Sequence, residues 1–355
     1  MDTLKKSWKW LRWIVAIGAV AYLYYRNQEG INDVWARPKH WGFLLAALAL
    51  CGSSTLVTFL RWFLLVRGLN FVFRVGDAMR LGFIGLLFNY VGPGSVGGDL
   101  FKAAFLARQQ TSRRTVAVAT ILLDRVLGLL ALFLVGALTI LPSLIRRGFP
   151  TNANQKRIAI SLLGVSLAGV IGLGLMMWPR FTRSWFVLKL THLPFVGKMA
   201  GELIHGIELY QSQPRIILSS MILSIIGHGG LIAGFYCGAL AVLPWAPTLA
   251  QHFSFMPIAE LIGVLVPTPA GIGGLEKAIE EAYAQYADSA VTQDTAMANG
   301  IVATLVFRIV TMLIASIGGI YYLLARSEVK AAMQEAEHLN DDAQATLASE
   351  SSPAT

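Results

Sequence analysis

The sequence predicts an all-α polytopic membrane protein, with about six full transmembrane helices plus two re-entrant or broken helical hairpins in an inverted repeat. Three observations predict it. Of 355 residues, 55% are apolar and only 14% charged, with a mean hydropathy of +0.60, the composition of a chain that lives among lipids rather than in water. Apolar runs at 42–66, 116–141, 158–178, 216–243 and 300–325 each reach the ~20 residues a helix needs to cross the hydrocarbon. Two more apolar segments, 81–107 and 253–286, are interrupted at their centres by glycine and proline. Each half is too short to cross, and such breaks are tolerated at membrane depth only where they pack in protein or line a cavity.

The elements follow in chain order. The start "MDTLKKSWKWLRWIVAIGAVAYLYY" sets a basic segment before a short apolar one and lacks a small-x-small cleavage site, so it is expected to stay as the first span. Lys9 and Arg12 then snorkel past Trp8, Trp10 and Trp13 toward the interface. After the spans at 42–66, 116–141 and 158–178 comes a helical stripe of Val196, Met199, Leu203, Ile207 and Tyr210, opposite Lys198, Glu202, His205 and Glu208. That pattern fits a helix lying along the cytoplasmic interface. The spans at 216–243 and 300–325 flank the second broken segment. The integral domain is therefore 1–325, and the acidic stretch 326–355, ending "ASESSPAT", reads as a largely disordered cytoplasmic tail.

Sidedness comes from the charges. With the N-terminus inside and each hairpin returning to its own side, the cytoplasmic segments hold 17 basic residues and the outside ones seven, with five inside apolar segments. This bias places both termini in the cytoplasm of a cell membrane, with the bacterial inner membrane as the expected setting. The net charge of +9 is thus accounted for by topology and anionic lipid, and nucleic acid is not implied. Cys51 and Cys237 both sit in apolar runs and read as small packing residues.

The broken segments resemble each other. "PGSVGGDLFKA" from Pro93 and "PAGIGGLEKA" from Pro269 share Pro-x-x-[Val/Ile]-Gly-Gly, then an acid and a lysine. Each precedes a span carrying Ala-Thr and then arginine, "ATILLDRV" at 119–126 and "ATLVFRIV" at 303–310. The repeats run over about 42–141 and 216–325, and in the topology above they are inverted, a transporter architecture.

The candidate site follows from that repeat. Gly94, Gly97 and Gly98 let the backbone turn, and the helix starting near Asp99 aims its unsatisfied N–H groups at the turn, as an anion site would. Gly271, Gly273 and Gly274 repeat the arrangement, with Lys102 and Lys277 about one turn further on. The plainer reading is that these glycines serve close helix packing alone. Arg125 and Arg308 lie too deep in their spans to reach an interface, at an insertion cost of roughly 2.5–3.5 kcal/mol each. They can grip a phosphate bidentately or pair internally with Asp99, Asp124, Glu260 or Glu276. Arg61 is close enough to its span's end to snorkel, and otherwise joins the candidate substrate-binding residues. Asn89 precedes the first break. Glu260 and Glu276 suit an amine, a proton or a helix cap. His228 reads first as a packing residue and second as a proton carrier.

Enzyme signals are thin. The six histidines have no metal-ligand spacing, no Gly-x-Ser-x-Gly elbow occurs, and Ser95 is the one placed nucleophile candidate, a turn serine of the usual structural kind. No catalytic residue, cofactor or metal is expected.

At "RWFLLVRG" (61–68), "NYVGPGSVGGDLFKA" (89–103), "DRVLGL" (124–129) and "PTPAGIGGLEKA" (267–278) the chain resembles the membrane domain of the lysylphosphatidylglycerol synthase family, the flippase-like UPF0104 proteins, over roughly 10–325. The resemblance implies translocation of a phosphate-bearing lipid, such as an aminoacylated phospholipid, between leaflets, with a separate lipid-modifying enzyme as a partner. With 30 or so residues after the last span, a soluble synthase domain is not expected in this chain. Where the family carries glutamate before its arginine, this chain has Asp124. The alternatives are a membrane enzyme acting on a polyprenyl phosphate or other lipid phosphate, and an ion-coupled carrier of a soluble anion.

Overall fold

A computed structural model describes residues 38–91, 97–109, 114–190, 197–266, 268–289 and 291–324, with isolated positions between 18 and 32. The expected first span, the tip of the first hairpin with Gly94 and Ser95, and the tail all lie outside the described residues.

The described chain is helical throughout: α1 (Trp41–Gly68), α2 (Val75–Val91), α3 (Gly97–Gln109), α4 (Arg114–Arg147), α5 (Ala153–Met176), α6 (Pro179–Thr182), α7 (Trp185–Leu190), α8 (Gly197–Tyr210), α9 (Pro214–Val242), α10 (Leu249–Leu265), α11 (Gly274–Gln285) and α12 (Gln293–Leu324), with a 3₁₀ turn at Pro269–Gly271. Five of these, α1, α4, α5, α9 and α12, are long and apolar enough to cross a membrane. They match the five long apolar runs. The broken segments resolve into α2 and α3, and into α10 and α11. At ~1.5 Å per residue the longest of these halves reaches only about 25 Å, short of the ~30 Å hydrocarbon.

Local chemistry sets the boundaries. Asn152 caps α5 by accepting from the N–H groups of Asn154 (2.9 Å) and Gln155 (3.3 Å). Thr248 and Gln251 form a reciprocal capping box at α10. Several bounds differ from expectation, α5 for instance starting at Ala153 and not at 158. Helix α4 runs through Pro142 to Arg147 instead of stopping at 141, because a proline near a helix end removes one backbone donor without ending the pattern of the flanking residues. Helix α12 starts at Gln293, a turn or two before its apolar run.

Packing is organised around α1 and α9, which lie side by side in opposite directions. Gly234 faces Cys51, Gly230 faces Ser54, Gly227 faces Thr58, and Gly68 at the far end meets Ile216. Glycines three to four residues apart on α9 remove the side chains that would hold the backbones apart. Around this pair the broken elements are exchanged between the halves. Helix α2 packs on α12, where Gly318 abuts the Phe83 carbonyl, and α10 packs on α4, where Gly136 abuts the Phe253 carbonyl and Pro257. Helix α8 buries Ile207 and Tyr210, whose hydroxyl donates to the Leu65 carbonyl at 2.5 Å, matching the apolar side of its stripe. Ile160, Leu167 and Ile171 on α5 and Met312, Leu313 and Ile320 on α12 stay exposed. An apolar outer wall on crossing helices belongs to a multi-pass membrane protein.

Candidate functional site

The first hairpin is closed by two contacts. Gly98, in the first turn of α3, sits so close to the Gly85 carbonyl of α2 that a Cβ would collide with it, and its N–H donates to Asn89 Oδ1 at 2.9 Å. Asn89 therefore caps α3 from the end of the preceding limb. Asp99, one residue on, accepts from Arg125 Nε of α4 and lies 3.8 Å from Lys102 Nζ. Lys102 stretches over the Trp62 ring, 5.3 Å from its centroid. Gly97 is buried beside these residues.

The second hairpin repeats the design with tighter closure. Gly271 (φ 66°) presses against the Gly263 carbonyl of α10, and Ala270 (φ 51°) and Gly273 (φ 93°) share the left-handed region. Gly274 packs on Val266. Glu276, in the first turn of α11, accepts from the Gly273 N–H at 2.7 Å and from Arg308 Nε of α12 at 2.8 Å. Arg308 Nη1 donates to the Ala270 carbonyl at 2.6 Å.

In each half, then, an arginine of the following long helix ties down the acid that opens the second limb. The expected internal pairing is present for Arg125 with Asp99 and for Arg308 with Glu276. The helix N-termini expected to receive an anion already hold acceptors, Asn89 on Gly98 and Glu276 on Gly273.

Arg61 departs from expectation. It does not snorkel; it is buried, donating from Nε and Nη2 to the two carboxylate oxygens of Asp124 (2.7 and 2.8 Å) and from Nη1 to Ser224 Oγ (3.0 Å). The guanidinium lies flat on Gly128, where no side chain stands in its way. Asp124 and Arg125, adjacent in sequence, thus face different partners. Lys277 also departs: it is engaged by Glu280 (3.0 Å) and Glu281 (3.3 Å) on its own helix and is not brought to Arg308 as Lys102 is brought to Asp99. Glu260 on α10 faces His228 on α9 across 3.8 Å.

The hairpins meet. Helix α2 packs against the Pro269–Gly271 turn. Tyr90, next to Asn89, donates to Thr311 Oγ1 of α12 at 2.7 Å and lies beside Arg308. Tyr90, Ser224, Trp62 and Gly128 were not among the sequence candidates. Tyr90 stands inside the "NYVGPG" motif, where its place before the break was the available signal.

The charge balance differs between halves. Around the first hairpin, Arg61, Lys102 and Arg125 outnumber Asp99 and Asp124; around the second, Lys277 and Arg308 are outnumbered by Glu276, Glu280 and Glu281. The Arg125 side chain is 46% exposed and that of Arg308 only 12%. Among the described residues no cluster of His, Cys, Asp and Glu suits a metal.

No curated protein sequence matches the chain. The profile of the Lysylphosphatidylglycerol synthase TM region matches residues 9–319, a span that holds both hairpins and all three arginine–carboxylate pairs, and the chain belongs to that family.

Proposed function

We propose that this chain is a lipid translocase, not an enzyme, which moves a phosphate-bearing lipid between leaflets with the headgroup held at the first hairpin and the acyl chains left in the bilayer. One observation carries this reading: Arg125 is half exposed deep in a membrane-crossing helix, and Asp99 engages only its Nε. A guanidinium so placed is costly unless it is used, and the edge left open suits a phosphate oxygen pair. Lys102 adds a second cation on the far side of Asp99. Without ligand, Asp99 neutralises Arg125; an entering phosphate competes for it. The family supports a role in lysylphosphatidylglycerol synthesis or flipping, and an aminoacylated phospholipid is the first substrate to try, with a separate lipid-modifying enzyme supplying it.

The antiparallel α1 and α9, the exchanged packing of α2 with α12 and of α10 with α4, and the matched acid–arginine ties support an inverted repeat, hence alternating access by rocking one half against the other. In this reading both termini are cytoplasmic, the first hairpin re-enters from the cytoplasm and the second from outside. Cysteines placed at 142–157 or 287–299 should react with an impermeant reagent from outside, and those at 67–80, 108–115 or 179–192 should not. Outside access to 108–115 would mean that the first broken segment crosses, and the inverted repeat would be lost.

The main test is reconstitution. Proteoliposomes should move fluorescent phosphatidylglycerol or lysyl-phosphatidylglycerol between leaflets faster than empty liposomes do. Arg125→Gln should slow this about tenfold, and Arg125→Lys should restore part of it, since lysine keeps the charge and loses the fork. A rate equal to that of empty liposomes across a broad anionic and zwitterionic panel would remove the proposal.

A further inference from the structure

His228 and Glu260 form a polar contact that the lipid site does not use. His228 stands in the middle of α9, and Glu260 on α10, the first limb of the second hairpin. His228 Nδ1 and Glu260 Oε2 are 3.8 Å apart, too far for a hydrogen bond. Glu260 Oε1 and His228 Nδ1 are both buried with no hydrogen-bond partner among the described residues. The neighbouring Arg61–Asp124 pair shows what a purely structural ion pair in this interior looks like: two parallel bonds of 2.7 and 2.8 Å, with the remaining donor on Ser224. The Glu260–His228 contact has neither the distance nor the satisfied Oε1 and Nδ1, while the His228 ring is also bonded to the Gly128 backbone of α4.

We propose that His228 and Glu260 together bind one transferable proton, and that its loss opens the seam between α9 and α10. With one proton the pair carries no net charge, either as imidazole and carboxylic acid or as imidazolium and carboxylate, and it suits a largely buried seam, where the two side chains are 22% and 17% exposed. Without it, a bare carboxylate with an unsatisfied oxygen remains. Among the described residues, the cations that face the pair are each paired with another acid. From α1, Arg61 and Cys51 face the pair, but Arg61 is committed to Asp124; from α4, Asp124 and Arg125 act on it, but Arg125 is committed to Asp99. Cys237 lies further along α9 and carries no charge as a thiol. On α11 and α12, Glu276 and Arg308 neutralise each other. Helix α5 carries its charges, Lys156 and Arg157, near its start, and α8 meets α9 around Ile216, about three turns before His228. The deprotonated carboxylate is relieved by water, which requires α10 to part from α9. That helix also packs on α4, which carries Arg125, so proton release would move a limb packed on the helix that bears the headgroup arginine.

Proton binding stands apart from the lipid reading; its coupling to lipid movement rests on it. The experiment therefore has two arms on the full chain in vesicles of phosphatidylethanolamine and phosphatidylglycerol. Infrared difference spectra between about pH 5 and pH 9 should show a protonated-carboxyl band that titrates, is lost in Glu260→Gln and changes its midpoint in His228→Asn. In the second arm, an imposed pH gradient should change fluorescent-lipid movement about threefold or more in the wild type and not in Glu260→Gln. A carboxyl band that does not titrate, or one that titrates identically in His228→Asn, overturns the proton site even if lipid moves. If Glu260→Gln fails to fold, the His228→Asn shift decides. A titrating band without lipid movement upholds the proton site and counts against the translocase reading alone.

Discussion

The two hairpins share a plan and differ in closure. In both, a glycine presses on a carbonyl of the opposite limb, and an acid in the first turn of the second limb is held by an arginine from the next long helix. In the second, Arg308 spends Nε on Glu276 and Nη1 on Ala270 and its side chain is 12% exposed, while Lys277 is held by its own helix. In the first, Arg125 spends only Nε on Asp99 and is 46% exposed, while Lys102 adds charge to the same carboxylate. The same motif serves as a clamp in one half and as an open cationic hook in the other. In the proposed translocase, asymmetry of this kind would let one half hold still while the other handles the lipid headgroup.

The strongest way to break this comparison is to remove the clamp. Arg308→Gln leaves Glu276 buried without its cation and should cost about 3–5 kcal/mol in denaturant titrations in detergent, largely recovered by the double change with Glu276→Gln. Arg61→Met should be as severe, because Asp124 loses both of its guanidinium bonds. If either single variant is as stable as the parent, the pairs contribute little and the clamp reading fails.

Next come the glycine contacts. Gly98→Ala and Gly271→Ala each drive a methyl into a backbone carbonyl, which should cost about 1–3 kcal/mol. Gly271→Ala should be the worse of the two, since Gly271 also has φ 66°. Equal losses would show that the left-handed backbone adds nothing to the second hairpin.

The hook should respond oppositely. Arg125→Gln should slow lipid movement about tenfold while costing much less stability than Arg308→Gln, since the buried Asp99 keeps Lys102 beside it as a counter-charge. Loss of stability like that of Arg308→Gln, with recovery by Asp99→Asn, would make the first hairpin a second clamp and remove the functional contrast.

Much of this fold was legible in the sequence because membrane helices announce themselves by length and apolarity, and the two breaks by proline and glycine. The acid–arginine ties were legible as a choice of partners, since charges buried in a bilayer must pair. Which acid went to which arginine was not, because Asp124 and Arg125 are consecutive and so point about 100° apart around α4. That angle sent Asp124 to Arg61 and left Arg125 for Asp99. Arg61 misled because distance to an interface was the argument for snorkelling, whereas a carboxylate and a bare glycine on α4 and a serine on α9 decided its direction. Lys277 misled for a related reason. The repeat aligned it with Lys102, but Glu280 and Glu281 one turn on have no equivalents after Lys102, and these hold it away.

The smallest expected effect tests the tip itself. Where the first hairpin has Gly94 after Pro93, the second has Ala270 after Pro269. Ala270 adopts φ 51°, ψ 21°, a conformation that costs a residue with a Cβ roughly 1 kcal/mol or more. Ala270→Gly relieves that cost but frees the unfolded chain by about 0.5–1 kcal/mol. The two nearly cancel, so the variant should gain less than about 1 kcal/mol, and since the change keeps the carbonyl that Arg308 Nη1 holds at 2.6 Å, Arg308 should stay in place. Thermal unfolding of Ala270→Gly alone and combined with Arg308→Gln separates the contributions. A gain in both backgrounds means that the strain belongs to the turn. A loss in the parent that disappears when Arg308 is replaced means that the stiffness of alanine positions the carbonyl for the arginine, and the clamp depends on a tip residue where the two copies differ in backbone freedom.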